Sequence, residues 1–237
     1  VPLRDLSIGL GVIVIWALNI IVIKVGVADM PPLLLTTLRF ALVALLLVPF
    51  HPVARHQLPF LALLSLTFGT LHFALLFIGL GQAEAGTGAL LLTSALGWAI
   101  SQLLIKRGPN VPPLALAGWV ALFAIPQVAL GSWWLERDQL AALGDAGWIG
   151  WGAVFYTAVM SSIVAYGAWY GLLRRHPVNR VVPLTLLVPV LAVGLGVLLL
   201  GDSLGPHKLI GGGLVIVGIG LIVLRFRKRG GTPRRAS

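Results

Sequence analysis

Of 237 residues, 58% are hydrophobic and 10% charged, a balance no soluble domain of this size carries without large exposed apolar patches. The absence of cysteine excludes disulfides and thiolate metal sites. The formal charge of +10 is gathered at the ends of apolar runs, which reads as topology control; no nucleic-acid partner is expected.

A helix crossing a bilayer needs about 20 mainly apolar residues. Eight runs approach that length: Ser7 to Ala28, Leu33 to Phe50, Leu58 to Gly81, Ala85 to Ile105, Leu114 to Leu135, Trp148 to Leu173, Val178 to Leu200 and Leu209 to Leu224. The expected fold is all-α, a polytopic membrane helix bundle of about eight transmembrane helices. The first run has no small-residue cleavage site and carries Asn19 and Lys24, so it is expected to be a retained span rather than a signal peptide.

Alternating sides gives a charge map. With a cytoplasmic N-terminus, the inner segments hold Arg4, Arg55, Lys106, Arg107, Arg174, Arg175, Arg180, Arg225, Arg227, Lys228, Arg229, Arg234 and Arg235, thirteen of seventeen basic residues. The outer loops hold Arg137 and Lys208 but collect Asp29, Glu84, Glu136, Asp138, Asp145 and Asp202, six of the seven acids. Both termini are therefore expected inside. Trp133, Trp134, Trp148 and Trp151 bracket one outer loop, where interfacial indoles belong. In the last run the pairs Gly211/Gly218 and Gly213/Gly220 each share a helix face, as close packing between membrane helices requires. Residues 227–237 form a basic tail expected to be disordered at the cytoplasmic surface.

An internal repeat underlies this order. Trp16-Ala17-Leu18-Asn19 leads to Lys24 and Pro31-Pro32-Leu33, while Trp98-Ala99-Ile100-Ser101 leads to Lys106 and Pro112-Pro113-Leu114. The two tryptophans, 16 and 98, are offset by 82 residues. The copies are expected to face opposite sides of the membrane, the arrangement of many secondary transporters.

An ionisable group inside a span costs about 2.5 to 3.5 kcal/mol on insertion scales, so each asks for a reason. Lys24 and Arg39 both lie within snorkelling reach of the outer surface, and each is read either as a snorkelling residue or as lining a cavity. His72, near mid-span, is read as an imidazole bonded to a neighbouring helix or as a proton-coupling group. No carboxylate sits in the middle of any span, so a carboxylate proton relay is not supported, and movement of a solute down its gradient is the simpler alternative. Tyr166-Gly167-Ala168-Trp169-Tyr170 combines aromatics with glycine, a composition suited to a pocket for a small zwitterion. Pro183 and Pro189 each remove a backbone donor, so the seventh run should bend or break there, for packing or to expose carbonyls to a ligand. Most uncharged polar residues in the spans, among them Ser65, Ser101, Gln102, Gln127, Thr157 and Ser162, should join helices by hydrogen bonds. There is no phosphate-binding loop and no His-Glu-x-x-His motif, so no cofactor, metal, ATP-driven step or enzymatic chemistry is expected.

Residues 16–26 (Trp16 to Gly26), followed by Met30-Pro31-Pro32-Leu33 and Leu38-Arg39-Phe40, resemble the first helix pair of EamA-type exporters in the drug/metabolite transporter superfamily. Residues 180–190 (Arg180 to Val190), with Leu199-Leu200-Gly201-Asp202-Ser203-Leu204, resemble the second-repeat signature of the O-acetylserine/cysteine exporter subgroup, with Asp202 where the family usually has Glu. The resemblance implies efflux of amino acids or similar small metabolites across the inner membrane, with the bilayer and a small-molecule substrate as partners. It also implies ten helices in two inverted halves. This chain breaks off after Gly88-Ala89-Leu90-Leu91-Leu92, the opening of the family's fourth helix, and resumes at Thr93-Ser94-Ala95-Leu96-Gly97-Trp98, inside the sixth. Residues 1–92 then form a truncated first repeat and 93–226 the second, with roughly 50 to 60 residues missing at about 20 per span. Two functions follow as expectations: a secondary transporter using Asn19, Lys24, Arg39, His72, Tyr166, Trp169, Pro183 and Pro189, or a truncated, non-transporting membrane protein or partner subunit.

Overall fold

The protein is seen in a computed structural model that describes residues 2–81 and 87–203, with 205, 210, 213, 217 and 218 beyond them. Seven described helices are long and apolar enough to cross a membrane. They are α1 (Leu3–Gly26), α2 (Pro32–Phe50), α3 (Arg55–Gly81), α4 (Thr87–Arg107), α5 (Pro113–Leu135), α7 (Trp148–Arg175) and α8 (Val182–Leu200). A short helix, α6 (Gln139–Asp145), lies between α5 and α7, and a single turn at Val178–Val181 precedes α8. The described residues contain no strand. The chain is an all-α polytopic membrane bundle, as its composition requires. Most of the eighth expected run, Leu209 to Leu224, lies outside the described residues, as do one glycine of each expected pair (Gly211 and Gly220), Glu84, Lys208 and the tail.

The repeated Pro-Pro-Leu has a structural meaning. Pro32 opens α2 and Pro113 opens α5, where a missing backbone N–H is harmless and a fixed φ favours the helix. Two boundaries differ from expectation. α1 begins at Leu3 rather than Ser7, because Asp5 in its first turn is held by Arg175 at 2.9 Å and His176 at 2.6 Å, so the charge does not end the helix. The run Val178 to Leu200 is not one helix. Its stretch Val182–Leu186 winds as a tight 3₁₀ segment around Pro183, and regular α-helix resumes only at Leu187. Pro189 then falls in the first turn of that α-helix, where it removes no intrahelical bond.

A feature the sequence did not announce is shared by α3 and α7. α3 widens to a π-helix over Ser65–Ala74, and α7 does so over Thr157–Ala165. Hydroxyl groups back-bond to carbonyls along both segments: Ser65 to Ala62, Thr67 to Leu64, Thr157 to Val154, and Ser162 to Thr157, five residues earlier. Such insertions often mark functional sites.

Two close approaches hold the bundle. α1 and α7 meet where a Cβ on Gly26 would lie 2.4 Å from Ala153 Cβ; α3 and α5 meet where one on Gly69 would lie 2.5 Å from Ala124 Cβ. Lipid offers no hydrophobic drive between helices, so small residues that admit contact over a long stripe carry much of the association. Gln127 reinforces the second approach, its side-chain amide donating to Ser65 Oγ at 2.7 Å and accepting from Thr70 Oγ1 at 2.6 Å. Replacing Gly69 with Leu should force α3 and α5 apart and destabilise the fold by about 1–3 kcal/mol. Thermal unfolding of the detergent-purified protein would register this as a lowered transition temperature.

Candidate functional site

At the level of the two π-segments, side chains from five helices line an open-sided cavity of about 290 Å³. α1 contributes Trp16 and Asn19, α3 contributes His72 and Phe73, and α4 contributes Trp98. α7 supplies Ser161 and Tyr166, and α8 supplies Thr185 and Pro189. The tryptophans of both repeat copies thus face one space. Tyr166 is packed by Trp16 with ring centroids 4.7 Å apart, and stands edge-on to Phe73 at 5.9 Å and 84°.

The polar groups of this wall are unevenly satisfied. His72 Nδ1 lies 3.0 Å from Ser94 Oγ and 3.1 Å from Ser94 O, while Ser94 Oγ donates to His72 O at 2.8 Å. Since the hydroxyl hydrogen is spent on that carbonyl, Nδ1 is the donor, and the imidazole joins α3 to α4 as a helix-helix bond. By contrast Trp16 Nε1, Asn19 Oδ1 and Ser161 Oγ are buried with no hydrogen-bond partner in the structure. Buried polar atoms are rarely left so. All three belong to residues lining the cavity.

Four of the expected site residues, Asn19, His72, Tyr166 and Pro189, therefore come together. The others are placed differently. Trp169 is fully buried behind Trp16, with centroids 5.3 Å apart, and donates to Gln102 Oε1 at 3.3 Å. Pro183 lies in the 3₁₀ segment that carries Thr185 to the wall. Lys24, about half exposed, bonds Asp202 at 3.0 and 3.1 Å and ties the end of α1 to the segment after α8. Arg39 is fully buried, its Nε donating to Ser162 Oγ at 2.8 Å and its Cζ resting 3.9 Å from the centre of the Phe73 ring. Trp16, Trp98, Ser161 and Thr185 line the cavity without having been singled out as site residues; the tryptophans' place in the repeat was the available signal.

Two further cavities lie beside the first. A void of about 20 Å³, room for about one water, lies between Phe40 and Val43 of α2, Phe68 and Phe73 of α3, and Ser162, Tyr166 and Tyr170 of α7. A larger opening of about 340 Å³ lies at the end of the bundle that carries Lys106 and Arg174, and Tyr170 lines it as well. At the opposite end, carboxylates cap helices across the bundle. Glu136 accepts from the backbone N–H of Leu33 at 2.6 Å and Leu34 at 3.0 Å, and Asp29 accepts from Gly147 at 3.1 Å and Gly150 at 2.8 Å. Free N–H groups at the starts of α2 and α7 are thereby satisfied.

Residues 5–94 and 86–224 each match the EamA-like transporter family, which together span almost the whole chain. The chain belongs to that family. Among curated relatives it is similar to a probable amino-acid metabolite efflux pump of Salmonella typhimurium strain LT2, 31% identical over 294 residues that cover 95% of this chain and 97% of the relative. A protein of the same description from Escherichia coli strain K12 is 29% identical, with the same coverage. An uncharacterized inner membrane transporter of that strain, YedA, is 25% identical and covers 89% of the chain. No solved structure matches. EamA-like membership places the chain among transporters and not among enzymes.

The 294 aligned positions exceed the 237 residues of the chain by 57, so the alignment crosses at least that many positions where this EamA-like chain has none. The geometry also separates Lys24 from the cavity. Lys24→Met should change stability by less than about 1 kcal/mol, since a partly exposed pair contributes little, and should leave transport within about twofold of wild type. Unfolding temperature and vesicle flux check the two halves of this prediction.

Proposed function

We propose that this transporter exports amino acids or related small metabolites across the inner membrane, with O-acetylserine and cysteine as candidate substrates. The observation that carries the reading is the cavity between the two halves, whose wall residues Asn19, Trp16 and Ser161 carry buried, unpaired hydrogen-bonding atoms. A small zwitterion supplies what they lack: its ammonium group donates to Asn19 Oδ1 and lies against the faces of Trp16, Trp98 and Tyr166, a cation–π arrangement. The names of the Salmonella and Escherichia relatives support the substrate class.

On this reading Asn19, His72, Tyr166 and Pro189 touch the substrate's space, Trp169 and Pro183 position its walls, and Lys24 fastens α1. The repeats are residues 1–92 and 93–226, with 227–237 as a cytoplasmic tail. Family matches of 90 residues (5–94) and 139 residues (86–224) support a shortened first repeat. The basic bias puts both termini in the cytoplasm.

A second reading, a shortened relative that does not transport by itself, is favoured by the 57 absent positions and by the thin burial of α4, whose Leu92, Leu96 and Leu103 are exposed. The intact mass of the protein from its native membrane separates the readings. A mass of 25.1 kDa with no efflux of cysteine, O-acetylserine or other amino acids supports the second reading, and efflux of any of them at that mass removes it.

Asn19→Ala and Tyr166→Ala should each lower efflux of L-cysteine or O-acetylserine from loaded proteoliposomes by about tenfold or more, the cost of losing a buried polar or aromatic contact. The amount of protein in the membrane should not change. Unaltered flux in both would remove the cavity as the substrate site. Because the chain is free of cysteine, single replacements report topology without background: Arg137→Cys should react with an impermeant maleimide added to intact cells, and Arg55→Cys should not.

A further inference from the structure

Arg39 is the most unusual charge in the described structure. Its side chain is fully buried, Nε alone is hydrogen-bonded, and Nη1 and Nη2 have no partner. None of the ion pairs formed among the described residues includes it. A guanidinium in such a place is expensive inside a membrane bundle, and its planar fork is shaped to take a carboxylate through two parallel hydrogen bonds.

The surroundings of Arg39 point the same way. Its guanidinium lies against Phe73, and Phe73 and Tyr166 line both the central cavity and the 20 Å³ void, so the two rings form the partition between them. Ser162, which holds Arg39 Nε, lines that void too. Tyr170 in turn lines both the void and the wide opening that carries Lys106 and Arg174. The opening and the void thus share Tyr170 as a wall, and the void and the central cavity share Phe73 and Tyr166.

We propose that the Arg39 guanidinium is the carboxylate subsite for the transported solute, an amino acid or other small monocarboxylate, reached when the Phe73–Tyr166 pair parts. The inference rests on the transport reading and deepens it. Asn19 in the open cavity takes the amine end, and Arg39 behind the rings takes the acid end. A solute with both groups is held across the partition, whereas an amine without a carboxylate stops at the cavity.

The test uses the purified full chain in detergent, with binding followed by tryptophan fluorescence. Its probes are sodium propionate, L-cysteine and cysteamine, which is cysteine without its carboxylate, against sodium chloride at equal ionic strength. In the wild type all three probes should saturate. Arg39→Gln should weaken propionate and L-cysteine by about tenfold or more while leaving cysteamine within about twofold. Arg39→Lys, which keeps the charge and loses the fork, should fall between.

Equal propionate binding in wild type and Arg39→Gln, no propionate binding in wild type, or equal losses for cysteine and cysteamine would each overturn the subsite. Should Arg39→Gln fail to fold, Arg39→Lys decides, and a wild-type response to propionate in that variant overturns the proposal. Arg39-dependent propionate binding without L-cysteine efflux would keep the subsite and sink the amino-acid reading. L-cysteine efflux that is indifferent to Arg39→Gln would do the reverse.

Discussion

The contact between α1 and α7 is the constraint on which the rest of the bundle depends. The two helices come from different halves of the chain and are fastened along their whole length. At one end Asp29 caps the start of α7, and beside it Gly26 admits Ala153. In the middle, Tyr156 donates to the backbone carbonyl of Ile15 and Trp16 packs on Tyr166 and Trp169. At the other end Asp5 is shared by Arg175 and His176. Because lipid is as apolar as the helix surfaces, alignment of this kind must come from close packing and paired polar groups, and both are present. The cavity follows from it, since Trp16 and Asn19 on one helix and Ser161 and Tyr166 on the other are wall residues only while these helices stay in register.

The same physics explains where polar groups are satisfied and where they are not. Helix starts, Ser65, Thr67, Thr157 and Ser162 of the π-segments, Gln127 and His72 find partners within the bundle. Against that background Trp16, Asn19 and Ser161, which line the central cavity, and Arg39, against Phe73, carry unpaired buried atoms, as do Gln102 and Tyr170 away from the cavity wall. Buried polar atoms are rarely left unmatched, and three of the residues that leave them so here share one cavity wall. The π-segments contribute here by shifting the helix register at His72, Phe73 and Ser161, so that these side chains face the cavity.

α4 carries the overlap of the two family matches. It starts beside the beginning of the second family match and carries the second copy's tryptophan, yet it packs on α3 through His72 and Ser94 and through Ser101 and Thr67. One helix thereby belongs to both family matches over residues 87–94. Its opposite side, with Leu92, Leu96 and Leu103 exposed, is apolar enough to meet lipid.

By itself the sequence determined the class of molecule, because apolar runs about as long as a bilayer is thick admit only spanning helices, and because repeated tryptophan, lysine and Pro-Pro-Leu positions declare two related halves. It also pointed to Asn19, His72 and Tyr166, since polar and aromatic residues at mid-span are conspicuous in an apolar run. Only the tertiary structure decided which of the conspicuous residues share a space. Lys24 and Arg39 looked alike in the sequence, each a lone cation a few residues inside a span. One turns outward to Asp202, 178 positions away, and the other inward beneath Phe73. That choice depends on helix rotation and on partners distant in the chain, which no local pattern of residues contains.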